Sequence, residues 1–134
     1  SSGFTDMPMN HKVFLAQFDA IKKLASEGPC VMVGRCADYA LAEYKDCFSV
    51  FVHADTDWRI NRLSQKHNKT AKEAKDMINK TDKSRSSYYN YYTNKKWGAA
   101  SSYNLCVDSS KLGIDGATKA IIQAIEIFDS IKNK

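Results

Sequence analysis

Three short apolar runs, separated by long amphipathic stretches, set the limits on what this chain can fold into. Cys30-Val31-Met32-Val33 sits between Gly28-Pro29 and Gly34; Phe48-Ser49-Val50-Phe51-Val52 and Leu105-Cys106-Val107 follow further on. Each run is too short for a helix, and a continuous apolar run bounded by turn residues suits a strand covered on both faces. Helical patterns fill the intervals. Residues 1–9 read as an irregular lead-in, and Asn10 is placed to cap a helix to about Glu27. Phe14, Phe18, Ile21 and Ala25 form its buried face, and Gly28 with Pro29 stops it. A short helix is predicted over residues 37–44 and another over 56–67. Thr70 with Glu73 three positions on makes a capping-box pattern that opens a helix reaching Tyr92. Residues 114–132 close the chain as an amphipathic helix with Ile121, Ile125 and Phe128 along its inner side.

Strands alternating with helices imply a parallel α/β sheet joined by right-handed crossovers. Three strands make a narrow sheet with exposed edges, and two more strands upstream would complete a doubly wound layer. The 134 residues suffice for one domain with one core. No apolar run approaches the ~20 residues of a membrane span, and no signal peptide opens the chain. The first residue is Ser1, which points to upstream sequence removed or left out. The four cysteines, Cys30, Cys36, Cys47 and Cys106, form no C-x-x-C pair. Three of them lie in or beside apolar runs, as reduced thiols in a cytoplasmic setting would. The net charge of +5 suits an anionic ligand or simply a soluble surface.

In open α/β sheets ligands bind beyond the carboxyl ends of the strands. That rule selects Gly34-Arg35, residues 53–57 and Asp108-Ser109-Ser110. Arg35 offers a planar fork of donors suited to a phosphate, or is a surface arginine at a strand end. Arg59 and Arg62 share a helix face by their spacing; without context a solvated face is the plainer reading. Asp82 and Arg85 could form a simple ion pair, or Arg85 could reach a phosphate while Asp82 orients it or accepts a sugar hydroxyl. Lys95, Lys96 and Trp97 read as a basic lid or, more plainly, a surface loop. Neither G-x-x-x-x-G-K-[ST] nor G-x-G-x-x-G occurs in the 134 residues, and His11, His53 and His67 lack metal-ligand spacing. From the residues alone, this is a basic α/β anion binder.

Residues 28–39, Gly-Pro-Cys-Val-Met-Val-Gly-Arg-Cys-Ala-Asp-Tyr, resemble a hallmark stretch of the cytidylate-kinase-like family. So do Asp82-Lys83-Ser84-Arg85-Ser86-Ser87-Tyr88-Tyr89, Lys96-Trp97-Gly98 and residues 103–110. The resemblance implies a single domain over residues 1–134. Its fold would be a three-layer, doubly wound parallel sheet of P-loop nucleotide-kinase type, incomplete at the N-terminus, with residues 56–98 as a lid-side helical region. It implies phosphoryl transfer from ATP, with Mg2+, to a (d)CMP-type acceptor when the protein is complete. A chain without the phosphate-binding loop is then expected to be inactive alone, since phosphoryl transfer rests on positioning the phosphates. Arg35 resembles the arginine that holds the monophosphate. Cys36 stands where those enzymes have the aspartate that reads cytosine, with Asp38 two residues on. Arg59 and Arg62 resemble the arginines that hold ATP, and with Arg85 are the implied catalytic cations. Asp82, Lys83 and Arg85 correspond to the acceptor-binding Asp-x-x-Arg stretch, and Ile78 replaces a further arginine.

Two rival classes stand beside the kinase: a regulatory nucleotide-binding module that has lost transfer, and a small nucleic-acid binder using residues 88–92 as stacking aromatics. The nucleic-acid reading is the weaker one, because these tyrosines fall at family-typical positions. The implied partners are a nucleotide and no membrane, with self-association or strand exchange through the uncovered sheet.

Overall fold

Phe14 and Ile21 lie buried on one side of the first helix, with Phe18 and Ala25 half-buried beside them. The computed structural model describes residues 7–134, and the expected lead-in over residues 1–6 lies outside the described residues. Helix α1 spans Met7–Glu27 and so begins before the Asn10 start that capping suggested. Pro8 falls in its first turn, where a missing N–H costs no helix hydrogen bond.

The chain divides into two compact units, Ser1–Cys47 and Phe48–Lys134. In the first, α1 packs on the short helix α2, Ala37–Ala40, which ends sooner than expected and leads into a turn. Ile21, Ala40 and Leu41 form its core, with Phe18, Met32 and Cys47 packed against them. Tyr39 meets the rings of Phe14 and Phe18 at 6.5 and 6.1 Å.

The expected strand over residues 30–33 is not a strand. These residues have no regular secondary structure, with Val31 and Val33 92% and 88% exposed while Met32 packs against the core. The sheet among the described residues is two-stranded. A continuous apolar run suits a strand covered on both faces, but a strand also needs a neighbour to pair with, and residues 30–33 pair with none among the described residues.

The second unit carries that sheet. Strand β1 is Val50–His53 and β2 is Leu105–Asp108, paired in parallel with Val50 opposite Leu105 and His53 opposite Asp108. Each extends one residue further toward its carboxyl end than the apolar pattern indicated. Between them run α3, Thr56–His67, and α4, Ala71–Thr93, packed side by side. The capping box forms as expected: the Glu73 N–H donates to Thr70 Oγ1 at 3.1 Å, and the Thr70 N–H to Glu73 Oε1 at 2.9 Å. Ala74 and Ile78, at 0% and 3% exposure, are the inner residues of α4 at that end.

Helix α5, Ser109–Lys132, is kinked at Gly113 (φ 73°) and packs on both strands. Ala117 is buried and Phe128 meets Phe48 at 5.2 Å, but Ile125, expected on the inner side, is 38% exposed. The architecture is therefore mixed α/β, a small parallel sheet among mostly helical elements. No helix is long and apolar enough to cross a membrane among the described residues.

Candidate functional site

The carboxyl ends of β1 and β2 open into a cleft lined by His53, Asp55, Trp58, Asp108 and Lys111, where the strand-end rule placed two of its three positions. The strand ends are tied together by serines. Ser109 Oγ donates to the His53 carbonyl at 3.1 Å, and the Asp55 N–H donates to Ser110 Oγ at 2.9 Å. Ser110 Oγ in turn donates to Asp108 Oδ1. Asp108 also caps α5, accepting from the Ser110 N–H at 2.9 Å and the Lys111 N–H at 3.3 Å. These bonds, Ser110 Oγ foremost, hold the Asp108 carboxyl below the usual carboxylate range, with His53 adding a smaller pull. Asp108, Ser109 and Ser110, selected as a strand-end position, close the sheet and start a helix, and Asp108 and Ser110 also line the cleft.

Above the sheet stands an aromatic box. Phe51 stacks on Tyr103 at 4.8 Å and on His53 at 6.2 Å, and meets Trp97 edge-on at 5.2 Å. Gly98 follows Trp97 with φ +80°, and a Cβ there would lie 3.5 Å from Phe51 Cζ. Lys96 and Trp97 are fastened by further bonds: Ser102 Oγ donates to the Lys96 carbonyl at 2.8 Å, and the Trp97 N–H to Asn90 Oδ1 at 2.7 Å. The segment read as a lid or surface loop is anchored on the sheet through Trp97. Two of the four clustered tyrosines, Tyr89 and Tyr92, are buried at 6% and 9%, which removes them as stacking platforms for bases.

Arg59 and Asp82 join α3 to α4. Arg59 Nη1 donates to Asp82 Oδ2 at 2.7 Å and Nη2 to Oδ1 at 2.8 Å, a two-pronged pair with side chains 31% and 25% exposed. The hydrogen bonds to Asp82 hold the Arg59 guanidinium above its ordinary pKa, outweighing the opposing effect of burial. Asp82 therefore pairs with Arg59 across the helices, not with Arg85 along α4, the ion pair that spacing left open. Arg85 and Lys83 are exposed and make no ion pair among the described residues. Arg62 lies over the Trp58 ring at 5.7 Å. The Arg59–Asp82 pair escaped sequence reasoning because nothing local links residues on two separate helices.

In the first unit, Gly34, Arg35 and Cys36 all have left-handed backbone, with φ of 70°, 61° and 55°. Such a run costs roughly 1–2 kcal/mol for each non-glycine residue, so the surrounding turn must hold it. The Ala37 N–H donates to the Gly34 carbonyl at 3.2 Å, and the Ala40 N–H to the Cys36 carbonyl at 3.1 Å. The turn leaves Arg35 exposed, Asp38 half-buried and Cys36 buried. Burial, helped by Asp38, pushes the Cys36 thiol up to about 11.

The match to the model of the cytidylate kinase-like family runs over residues 1–111, taking in this turn, the α3–α4 pair and β2. The chain belongs to the cytidylate kinase-like family. Its likeness extends to a solved structure, that of an uncharacterized protein from Eubacterium ventriosum ATCC 27560. The two share 34% identity and a TM-score of 0.82 over 85% of this chain. The chain spans 65% of the length of that protein. No curated protein matches the chain. Cys36 and Ile78, which the resemblance set against an aspartate and an arginine, are both buried, at 6% and 3%.

Proposed function

We propose that this chain is the acceptor-binding and lid-side part of a nucleotide kinase-like phosphotransferase acting on a (d)CMP-type acceptor. The observation that carries the reading is the α3–α4 pair. Arg59 is held by Asp82, while Arg62 and Arg85 stay exposed and outside any ion pair among the described residues. Exposed guanidinium groups on rigid helices are suited to bind phosphate by paired hydrogen bonds. In the complete fold the reading places them beside a three-layer, doubly wound sheet of P-loop type.

ATP, when bound, would supply the phosphoryl group. Arg59 and Arg62 fit its triphosphate; Asp82, Lys83 and Arg85 of the second unit, and separately Arg35 and Asp38 of the first, are suited to a nucleoside monophosphate. The described residues gather no group of three metal-ligating side chains, so no ligand for Mg2+ is assigned. The test is NMR titration of the isotope-labelled chain with CMP and with ATP. The reading expects amide shifts concentrated around Arg59, Arg62 and residues 82–85. Saturating nucleotide that moves none of these signals overturns it.

A second reading has its own observation. Cys36 is a buried thiol where the family's base-reading aspartate stands, and Ile78 is a core residue where an arginine is expected. Both favour a nucleotide-binding regulatory module that no longer transfers phosphate. Binding of CMP without transfer by the complete protein would select it.

A further inference from the structure

A guanidinium carries five N–H donors in a fixed fork. Arg59 uses one hydrogen from Nη1 and one from Nη2 on Asp82, each short and charge-assisted. The side edge of the same plane, Nε–H with the outer Nη2 hydrogen, is a second fork of matching geometry. The pair is only half-buried, so part of the Arg59 side chain still meets solvent. Among the described residues, the hydrogen bonds of the Arg59 guanidinium both go to Asp82. Both oxygens of Asp82 are engaged by Arg59, so each keeps only its second lone pair for any other donor.

We infer that Asp82 is a positioning residue, which fixes the Arg59 plane so that its side edge presents a ready-made fork to a phosphate group. This rests on the nucleotide-binding reading above and departs from the sugar-binding role that resemblance gave Asp82. The two roles have opposite signatures. A bare carboxylate repels an anion, so Coulomb's law alone makes Asp82→Asn tighten phosphate binding. A sugar contact makes the same change weaken CMP while sparing a ligand with no sugar. Positioning makes it weaken both.

The test is calorimetry of inorganic tripolyphosphate and of CMP against the chain and its Asp82→Asn, Arg59→Lys and double variants. Asp82→Asn is expected to weaken tripolyphosphate roughly 10-fold, the scale of one lost charge-assisted hydrogen bond. The double variant is expected to bind no more weakly than the worse single one. In the unmutated chain, the Arg59 Nε–H NMR signal is expected to move on adding tripolyphosphate, a readout independent of whether any variant folds. Unchanged or tighter tripolyphosphate binding by Asp82→Asn, additive losses, or an unmoved Nε–H signal overturns the inference and leaves nucleotide binding standing. Failure of the unmutated chain to bind either tripolyphosphate or CMP overturns both.

Discussion

Ser109 Oγ reaches across the end of the sheet to the His53 carbonyl, 3.1 Å away, and so fastens the last residue of β1 to the first residue of α5. Ser109 is 4% exposed. Ser109→Ala is expected to cost about 1–3 kcal/mol, because it leaves that carbonyl without its hydroxyl donor. Urea unfolding followed by circular dichroism measures the loss; a midpoint equal to the unmutated chain's contradicts the clamp.

Gly98 and Phe51 define a second tight place. At φ +80° an L-residue is strained, while the added Cβ would meet the Phe51 ring at ordinary contact distance, 3.5 Å. Gly98→Ala is therefore expected to destabilise by about 1–2 kcal/mol through backbone strain. Phe51→Ala should cost more, about 3–5 kcal/mol, through the emptied aromatic box. Thermal unfolding of the two variants orders the effects; a larger loss for Gly98→Ala reverses the account.

Cys36 gives the fold a pH dependence. Its thiol is ordinary near 9.0 when unfolded and is pushed up to about 11 by burial. The folded chain thus holds this proton more tightly than the unfolded chain does. Stability from the buried thiol is whole below pH about 9.0 and declines as pH rises toward about 11. The unmutated chain should lose more stability than Cys36→Ala across that window. Identical pH profiles contradict it. At neutral pH, exposed Cys30 should react with a thiol reagent well before Cys36.

We propose that the apolar surface of the first unit draws a partner copy. Val31, 92% exposed, shares a hollow with Leu24 at 54%, and Val33 is 88% exposed; burial of such surface is worth ~25 cal/mol per Å2. The chain is expected to self-associate with rising concentration in sedimentation. A single monomeric species throughout contradicts this, and Val31→Lys should reduce the association.

Local chemistry was what the sequence displayed best. Helix α3, the capping box of Thr70 and Glu73, and the Gly28-Pro29 stop all follow from residues a few positions apart. β1 and β2 were legible because each finds the other as a neighbour. Residues 30–33 carry the same apolar signal and yet form no strand, since pairing depends on what lies alongside, which no run of residues states about itself. The site divides in the same way. The family stretches around Arg35 and Asp82 were visible as motifs, whereas the Arg59–Asp82 pair and the Ser109–His53 bond join residues far apart in the chain. Asp82 was read against Arg85, three residues along its own helix, because that neighbour was the one that spacing could offer.

Calorimetric titration of CMP into the chain, its Arg35→Ala variant and its Arg85→Ala variant tests the central claim most directly. Both arginines are exposed, so the substitutions should leave the fold intact. Each lost charged hydrogen bond is worth ~1.5–3 kcal/mol, which corresponds to a roughly 10- to 100-fold weakening of monophosphate binding. Lysine at either position should restore only part of it, since an ammonium has no planar fork. Equal CMP affinity in all three proteins would make these arginines ordinary surface residues and contradict the assignment of a nucleotide-binding site.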